Sequence, residues 1–172
     1  RVTTFTAIYR LISKINVPMV LDADALRAIA VKPEVVFGKH VILTPHPGEL
    51  AILLSQSQMS TDFDARIVAA KQAAVKYRCV VLLKGNVDII TDGSSMITNN
   101  SGTSFMTKGG FGDCLAGVVG ALLSRGVGLL EAAHAGAYVT GKAGELAGAK
   151  YGEGLVASDI FEYIPKAIHT SS

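Results

Sequence analysis

Apolar and polar positions run along the 172 residues in two rhythms. Short apolar runs at 17–23, 41–44 and 79–84 each end in polar or charged residues. Runs this short and continuous suit strands buried on both faces of a sheet. Between them the apolar positions recur at helical spacing, over 3–14 and most clearly over 62–77, where Thr61 and Asp64 are placed to form a capping pair. Strands alternating with helices imply right-handed crossovers and a mainly parallel sheet. Residues 87–91 and 96–98, joined by Asp92-Gly93-Ser94-Ser95, read as a hairpin that adds antiparallel strands near the end of that sheet. A glycine-rich loop over 99–112 then leads into an apolar helix predicted over 113–125, stopped by Gly126. A helix over 130–148, rich in Ala and Gly, is expected to pack closely inside the domain or against a second copy. Ser158 is placed to cap a last helix, which Pro165 would kink or stop.

The fold class is therefore α/β, with helices on both faces of the sheet. No repeat or linker divides the chain, which reads as one domain over 1–172. Composition narrows the partners. Lys and Arg number 16 against 14 Asp and Glu, and aromatics make up 6%, too little charge and too few stacking platforms to propose nucleic acid or an anionic membrane. Mean hydropathy is high at +0.40, yet no stretch approaches the roughly 20 apolar residues of a membrane span. Cys79 and Cys114 lie in unrelated segments, a usage that suggests reduced thiols and a cytoplasmic setting. His40, His46, His134 and His169 lack zinc spacing. The chain opens on Arg1 rather than Met, and we read it as a domain lacking its N-terminal portion.

The chemistry concentrates where predicted strands end. Gly109-Gly110-Phe111-Gly112-Asp113 empties directly into a helical run. Glycines let the backbone turn sharply beside a ligand, and the first helical turn offers unpaired N–H groups and the positive end of the helix dipole to a phosphate. Asp113 at that mouth is where a general base for a substrate hydroxyl is wanted, although an Asp there can equally cap the helix. Thr44-Pro45-His46-Pro47-Gly48-Glu49 follows the second strand, at the edge where open α/β sheets bind ligands. His46 could meet a polar substrate and Glu49 could orient water or magnesium, or Pro47 and Glu49 could simply start a helix. Lys84-Gly85-Asn86 ends the third strand, with Lys84 either a nucleotide contact or a snorkelling lysine. Of Asp22 and Asp24, one could cap the following helix and the other face the crevice. Gly136 to Lys142 has the spacing of a phosphate-binding loop, but Ala143 stands where Ser or Thr is needed and the segment reads as helix.

Taken in order, Leu-Asp-Ala-Asp-Ala-Leu at 21–26, Thr-Pro-His-Pro-Gly-Glu at 44–49, Leu-Lys-Gly at 83–85 and Gly-Gly-Phe-Gly-Asp at 109–113 resemble the ADP- or ATP-dependent NAD(P)H-hydrate dehydratase family over nearly the whole chain. The resemblance implies a ribokinase-like three-layer sandwich and a nucleotide-driven dehydration of hydrated NADH or NADPH, with ADP or ATP as co-substrate and Mg2+. It implies a homo-oligomer, while composition already argues against a nucleic-acid or membrane partner. It assigns Asp113 as catalytic base, with His46 and Asp22 beside it on the substrate. Lys84, Gly85, Asn86, Val87, Asp88, Thr103, Ser104, Met106, Gly109, Gly110, Phe111 and Gly112 would hold the nucleotide, and Glu49 would contact metal indirectly. Thr103, Phe105, Phe111 and Asp88 depart from the family's usual residues, and Asp88 near phosphates is repulsive. Two other readings share these residues. One is a vitamin kinase of the same fold, acting on a thiazole, pyrimidine or pyridoxal-type alcohol; the other is a nucleotide-binding subunit without catalysis.

Overall fold

The computed structural model describes residues 2–169. Helix α1 (Val2–Lys14) leads to strand β1 (Met19–Leu21), α2 (Asp24–Val31), β2 (Val41–Leu43), α3 (Pro47–Leu53), α4 (Phe63–Tyr77) and β3 (Val80–Leu83). The hairpin β4 (Asp88–Thr91) and β5 (Met96–Asn99) follows, then α5 (Phe111–Ser124), α6 (Leu129–Tyr151) and α7 (Ile164–His169).

The five strands lie in sequence order, β1 to β3 parallel and β3 to β5 antiparallel. The expected parallel block with a hairpin at its end is what forms. Strand pleating divides the apolar runs between two cores. Val41, Leu43, Val81, Leu83 and Ile89 face α1 to α4, where Leu26, Ile29, Leu50 and Tyr77 are buried. Ile42, Val80, Leu82 and Ile90 face α5 and α6, against Leu115, Val119 and Ala133. The result is a three-layer sandwich, and it explains why these strands read as continuous rather than alternating apolar runs. A third cluster under the glycine-rich loop joins Phe111, Ala143, Ala147, Leu155 and Ile160.

Several local expectations are corrected. Helix α4 is capped by Asp62, whose Oδ2 accepts from the Ala65 N–H at 2.9 Å, so Thr61 and Asp64 form no capping pair. The helix starts at Phe63, which makes Asp62 the residue whose side chain reaches the third amide. Helix α5 starts at Phe111, two residues before the predicted start, because Gly110 at φ 94° turns the chain straight into helical geometry. Helix α6 extends to Tyr151. Ser158 caps no helix; it lies inside a 3-10 segment (Ala157–Tyr163) whose cap position is Val156, with Asp159 Oδ2 accepting from the Val156 N–H at 2.8 Å. Pro165 falls in the first turn of α7, where no intrahelical N–H is required, so it begins a helix instead of ending one.

The glycines of α6 are used inside the domain. A β-carbon on Gly136 would lie 2.4 Å from Val119 Cγ2, and one on Gly141 would lie 2.7 Å from the Ser101 carbonyl. Helix α5 and the 99–107 loop approach the α6 backbone where these side chains are absent. The phosphate-loop spacing from Gly136 to Lys142 lies within this helix, and Lys142 is spent on Glu145 at 2.8 Å. Among the described residues no helix is long and apolar enough to cross a membrane.

Candidate active site

Because β1, β2 and β3 are parallel, their carboxyl ends open on one edge of the sheet, and each delivers a charged residue there. Asp22 follows β1, Glu49 sits in the first turn of α3 after β2, and Lys84 follows β3. Lys84 Nζ lies 3.1 Å from both Asp22 carboxylate oxygens and 4.0 Å from Glu49 Oε2. Lys84 is therefore a half-buried cation tying strand ends together and not a snorkelling lysine. Neither Asp22 nor Asp24 caps α2, which begins without a side-chain cap. Between them Ala23 takes φ 51° and ψ −122°, a region that costs an L residue about 1–3 kcal/mol and is kept only where surrounding contacts enforce it. Its N–H binds Asp22 Oδ1 at 2.8 Å, one of the contacts that does so.

Thr44-Pro45-His46-Pro47-Gly48-Glu49 does start a helix. His46 Nδ1 accepts from the Gly48 and Glu49 N–H groups at 3.0 and 3.3 Å, and Glu49 Oε2 accepts from the His46 N–H at 2.9 Å. This reciprocal box leaves the neutral imidazole carrying its proton on Nε2. The cap also holds the ring at the mouth of a crevice, with the His46 side chain 57% exposed.

That crevice, of about 890 Å³, gathers most of the predicted nucleotide residues. His46, Lys84, Gly85, Asn86 and Asp88 form one side. Thr103, Ser104, Met106, Gly109, Phe111 and Gly112 form the other. Gly112 lies beside the ion pair: a side chain there would bring its first carbon 3.2 Å from Asp22 Oδ2 and 3.5 Å from Lys84 Nζ. Val87 contributes to the turn, its N–H on Asn86 Oδ1 at 3.0 Å and its carbonyl accepting from Arg66. The departures from the family pattern have visible uses. Asp88 Oδ1 accepts from the Gly85 N–H at 2.9 Å and Oδ2 from Asn99 Nδ2 at 3.0 Å, so the carboxylate closes the turn and pins it to β5. Burial pushes the Asp88 carboxyl above its ordinary range, opposed by those hydrogen bonds and by the charges of Arg66 and Lys84. Thr103 Oγ1 accepts from the Phe105 N–H, and Phe105 and Phe111 pack into the apolar cluster against α6. Lys108 anchors the loop to the carbonyls of Glu153 and Leu155.

Asp113 occupies the third position of α5, exposed, and does not cap it; Gly110 holds the cap position. The first intrahelical bond of α5 is from the Cys114 N–H to the Gly110 carbonyl at 3.1 Å, so the amides of Phe111, Gly112 and Asp113 precede the ladder. Asp113 and Gly110 line a second cavity, of about 540 Å³, with Val118, Ala157, Ser158 and Phe161. The structure thus separates His46, in the first cavity, from Asp113, in the second, with Gly109 and Gly112 on one side of the loop and Gly110 on the other. Cys114 beside it is buried, and burial, reinforced by the Asp113 charge, raises its thiol pKa, away from the thiolate form that reacts.

Two sets of residues escaped the sequence reading. The inner wall of the crevice comes from Leu115, Ala137, Thr140 and Gly141, together with Ser101 and Gly102. The Ala- and Gly-rich pattern of α6 announced close packing but not what would be packed. Arg66 is the other. It is 7% exposed and continues the buried stripe of Ala69, Ala70, Ala73, Ala74 and Tyr77 on α4. A cation at the head of a small-residue stripe was the available signal.

With this geometry in place, the comparisons with known proteins are specific. A family model described as NAD(P)H-hydrate dehydratase matches residues 2–166. A bifunctional NAD(P)H-hydrate repair enzyme of Hyperthermus butylicus is 37% identical over 154 residues, covering 88% of this chain and 29% of that protein. An ADP-dependent (S)-NAD(P)H-hydrate dehydratase of Cenarchaeum symbiosum is 35% identical over 161 residues, covering 90% and 56%. A solved ADP/ATP-dependent NAD(P)H-hydrate dehydratase of Bacillus subtilis, co-crystallized with ATP and Mg2+, superposes with a TM-score of 0.77 at 27% identity, covering 93% of this chain and 57% of that one. The chain spans less than a third of the bifunctional relative and little more than half of the other two. Its sandwich, its strand-end charges and its glycine loop agree with a single assignment: this chain belongs to the NAD(P)H-hydrate dehydratase family.

Proposed function

We propose that the chain carries the catalytic core of an ADP- or ATP-dependent dehydratase that returns hydrated NADH or NADPH to the reduced cofactor. The observation that carries this reading is the pair of cavities on either side of the Gly109–Gly112 loop, one lined by Lys84 and the 84–88 turn, the other by the exposed Asp113 carboxylate. The nucleotide takes the larger crevice, with its terminal phosphate on the amides that open α5. The hydrated nicotinamide ring enters beside Asp113. Asp113 accepts the proton of the ring hydroxyl while that oxygen bonds to phosphorus and the nucleotide departs one phosphate shorter. The ring-nitrogen lone pair then expels phosphate by C–O cleavage, and proton loss from the neighbouring ring carbon restores the reduced ring.

Among the described residues no three His, Cys, Asp or Glu side chains gather to ligate a metal. A magnesium ion arriving with the nucleotide would have Glu49, and Asp22 beside Lys84, as the carboxylates at hand. When bound it neutralises phosphate charge. A homo-oligomer and a cytoplasmic setting belong to the same proposal; the buried free thiols of Cys79 and Cys114 support a reducing compartment.

The test is to add hydrated NADH with ADP or ATP and Mg2+ and follow reduced-cofactor absorbance. Nucleotide-dependent growth of that absorbance, with one phosphate released per ring restored, is the expected result. A stable phosphorylated vitamin alcohol in its place would assign a kinase, and nucleotide binding without turnover of either substrate would leave only a binding subunit.

A further inference from the structure

The 84–88 turn poses an electrostatic problem. Asp88 lines the crevice assigned to a polyphosphate, where a carboxylate repels its ligand. Two hydrogen bonds hold it in place but do not cancel its charge. Lys84, in the crevice itself, supplies part of the compensating charge, and the rest comes from behind. Arg66 reaches from the buried face of α4, and its Nη2 donates to the Val87 carbonyl at 2.9 Å. A β-carbon on Gly85 would stand 2.2 Å from that same nitrogen. The guanidinium therefore fills the place of a side chain at 85, behind a turn whose Gly85, Asn86 and Asp88 line the crevice. Its Nε is buried without a hydrogen-bond partner, so this cation is held at a cost that an apolar residue in the same stripe would avoid.

We propose that Arg66 is a positioning residue for the phosphate-bearing co-substrate. It fixes the 84–88 turn through the Val87 carbonyl and offsets the charge of Asp88, so that the crevice presents net attraction to an anion. This rests on the reading that the crevice takes a nucleotide. A scaffold role alone would affect every ligand of the turn equally. A charge role grades the effect by ligand charge, because the interaction scales with the product of the charges.

The experiment is calorimetric titration of the chain with ATP, ADP, AMP and adenosine, comparing wild type with Arg66→Met and Arg66→Lys. Arg66→Met is expected to weaken ATP on the order of tenfold, ADP less, and adenosine about twofold or less. Arg66→Lys, which keeps the charge, is expected to retain most of the ATP affinity. Adding Asp88→Asn to Arg66→Met should recover part of the ATP loss and leave adenosine unchanged. An equal loss for all four ligands, or no loss, overturns the proposal. If Arg66→Met does not fold, Arg66→Lys decides alone, since a loss there as large for adenosine as for ATP is the scaffold result. Wild type binding none of the four would sink the nucleotide reading itself, an outcome distinct from the others.

Discussion

Replacing Asp113 by Asn is expected to lower turnover by about 10²–10⁴-fold, the range that a positioned general base contributes. The substitution keeps size and hydrogen-bonding capacity and removes only the ability to take a proton. Asp113 is exposed and does not cap α5, so the fold has little to lose. Nucleotide affinity should also persist, because the crevice on the other side of the loop does not include this side chain. The measurement is therefore a split: turnover falls, while thermal midpoint and the dissociation constant for ADP or ATP stay near their wild-type values. Turnover close to wild type in this variant removes Asp113 from the chemistry, and a joint fall in stability would recast it as a structural residue.

The second large effect is expected at Gly110. Its φ of 94° lies where an L side chain is strained, and an added β-carbon would stand 2.9 Å from Ala157 Cβ, a rigid neighbour. Gly110→Ala must either distort the entry to α5 or push the 157–163 segment away. The conformational cost alone is about 1–3 kcal/mol, which for a domain of this size lowers the thermal midpoint by roughly 2–4 °C per kcal/mol. Displacing the amides of Phe111 to Asp113 by as little as about 1 Å is expected to cost on the order of 100-fold in kcat/KM. Melting curves and steady-state kinetics on the same preparation check both parts. A variant with unchanged kcat/KM and a lowered midpoint would show that the loop shape serves stability and not catalysis.

How much of this was legible beforehand depended on whether the determinant was local. The strands were, since 41–44 and 79–84 carry apolar residues for both sheet faces without interruption. The hairpin was, because Asp92 Oδ1 accepting from the Ser94 and Ser95 N–H groups and Gly93 at φ 98° are turn chemistry written in four residues. The strand-end charges Asp22, Glu49 and Lys84 were legible as candidates but not as partners; 62 residues separate Asp22 from Lys84, and only the parallel pairing of β1 to β3 brings them together. Caps failed for a different reason. Moving a helix start by one or two residues changes which side chain reaches an amide, so Asp62 displaced Thr61 and Gly110 displaced Asp113. Arg66 and the α6 wall left a trace in the sequence, a cation heading a small-residue stripe and an Ala- and Gly-rich helix, but not their roles, because a buried cation and a run of small residues acquire meaning only from what folds over them.

The glycines of α6 set a boundary for anyone engineering a sturdier variant. Scored by helix propensity, each invites replacement by alanine, a gain of up to about 1 kcal/mol in an open helix. Gly120 in α5 meets nothing within 4 Å and should accept that exchange with profit. Gly136 and Gly141 should reverse its sign, since the methyl would wedge α6 away from Val119 and Ser101. One substitution, on two helices that touch, hardens the scaffold or pries it open.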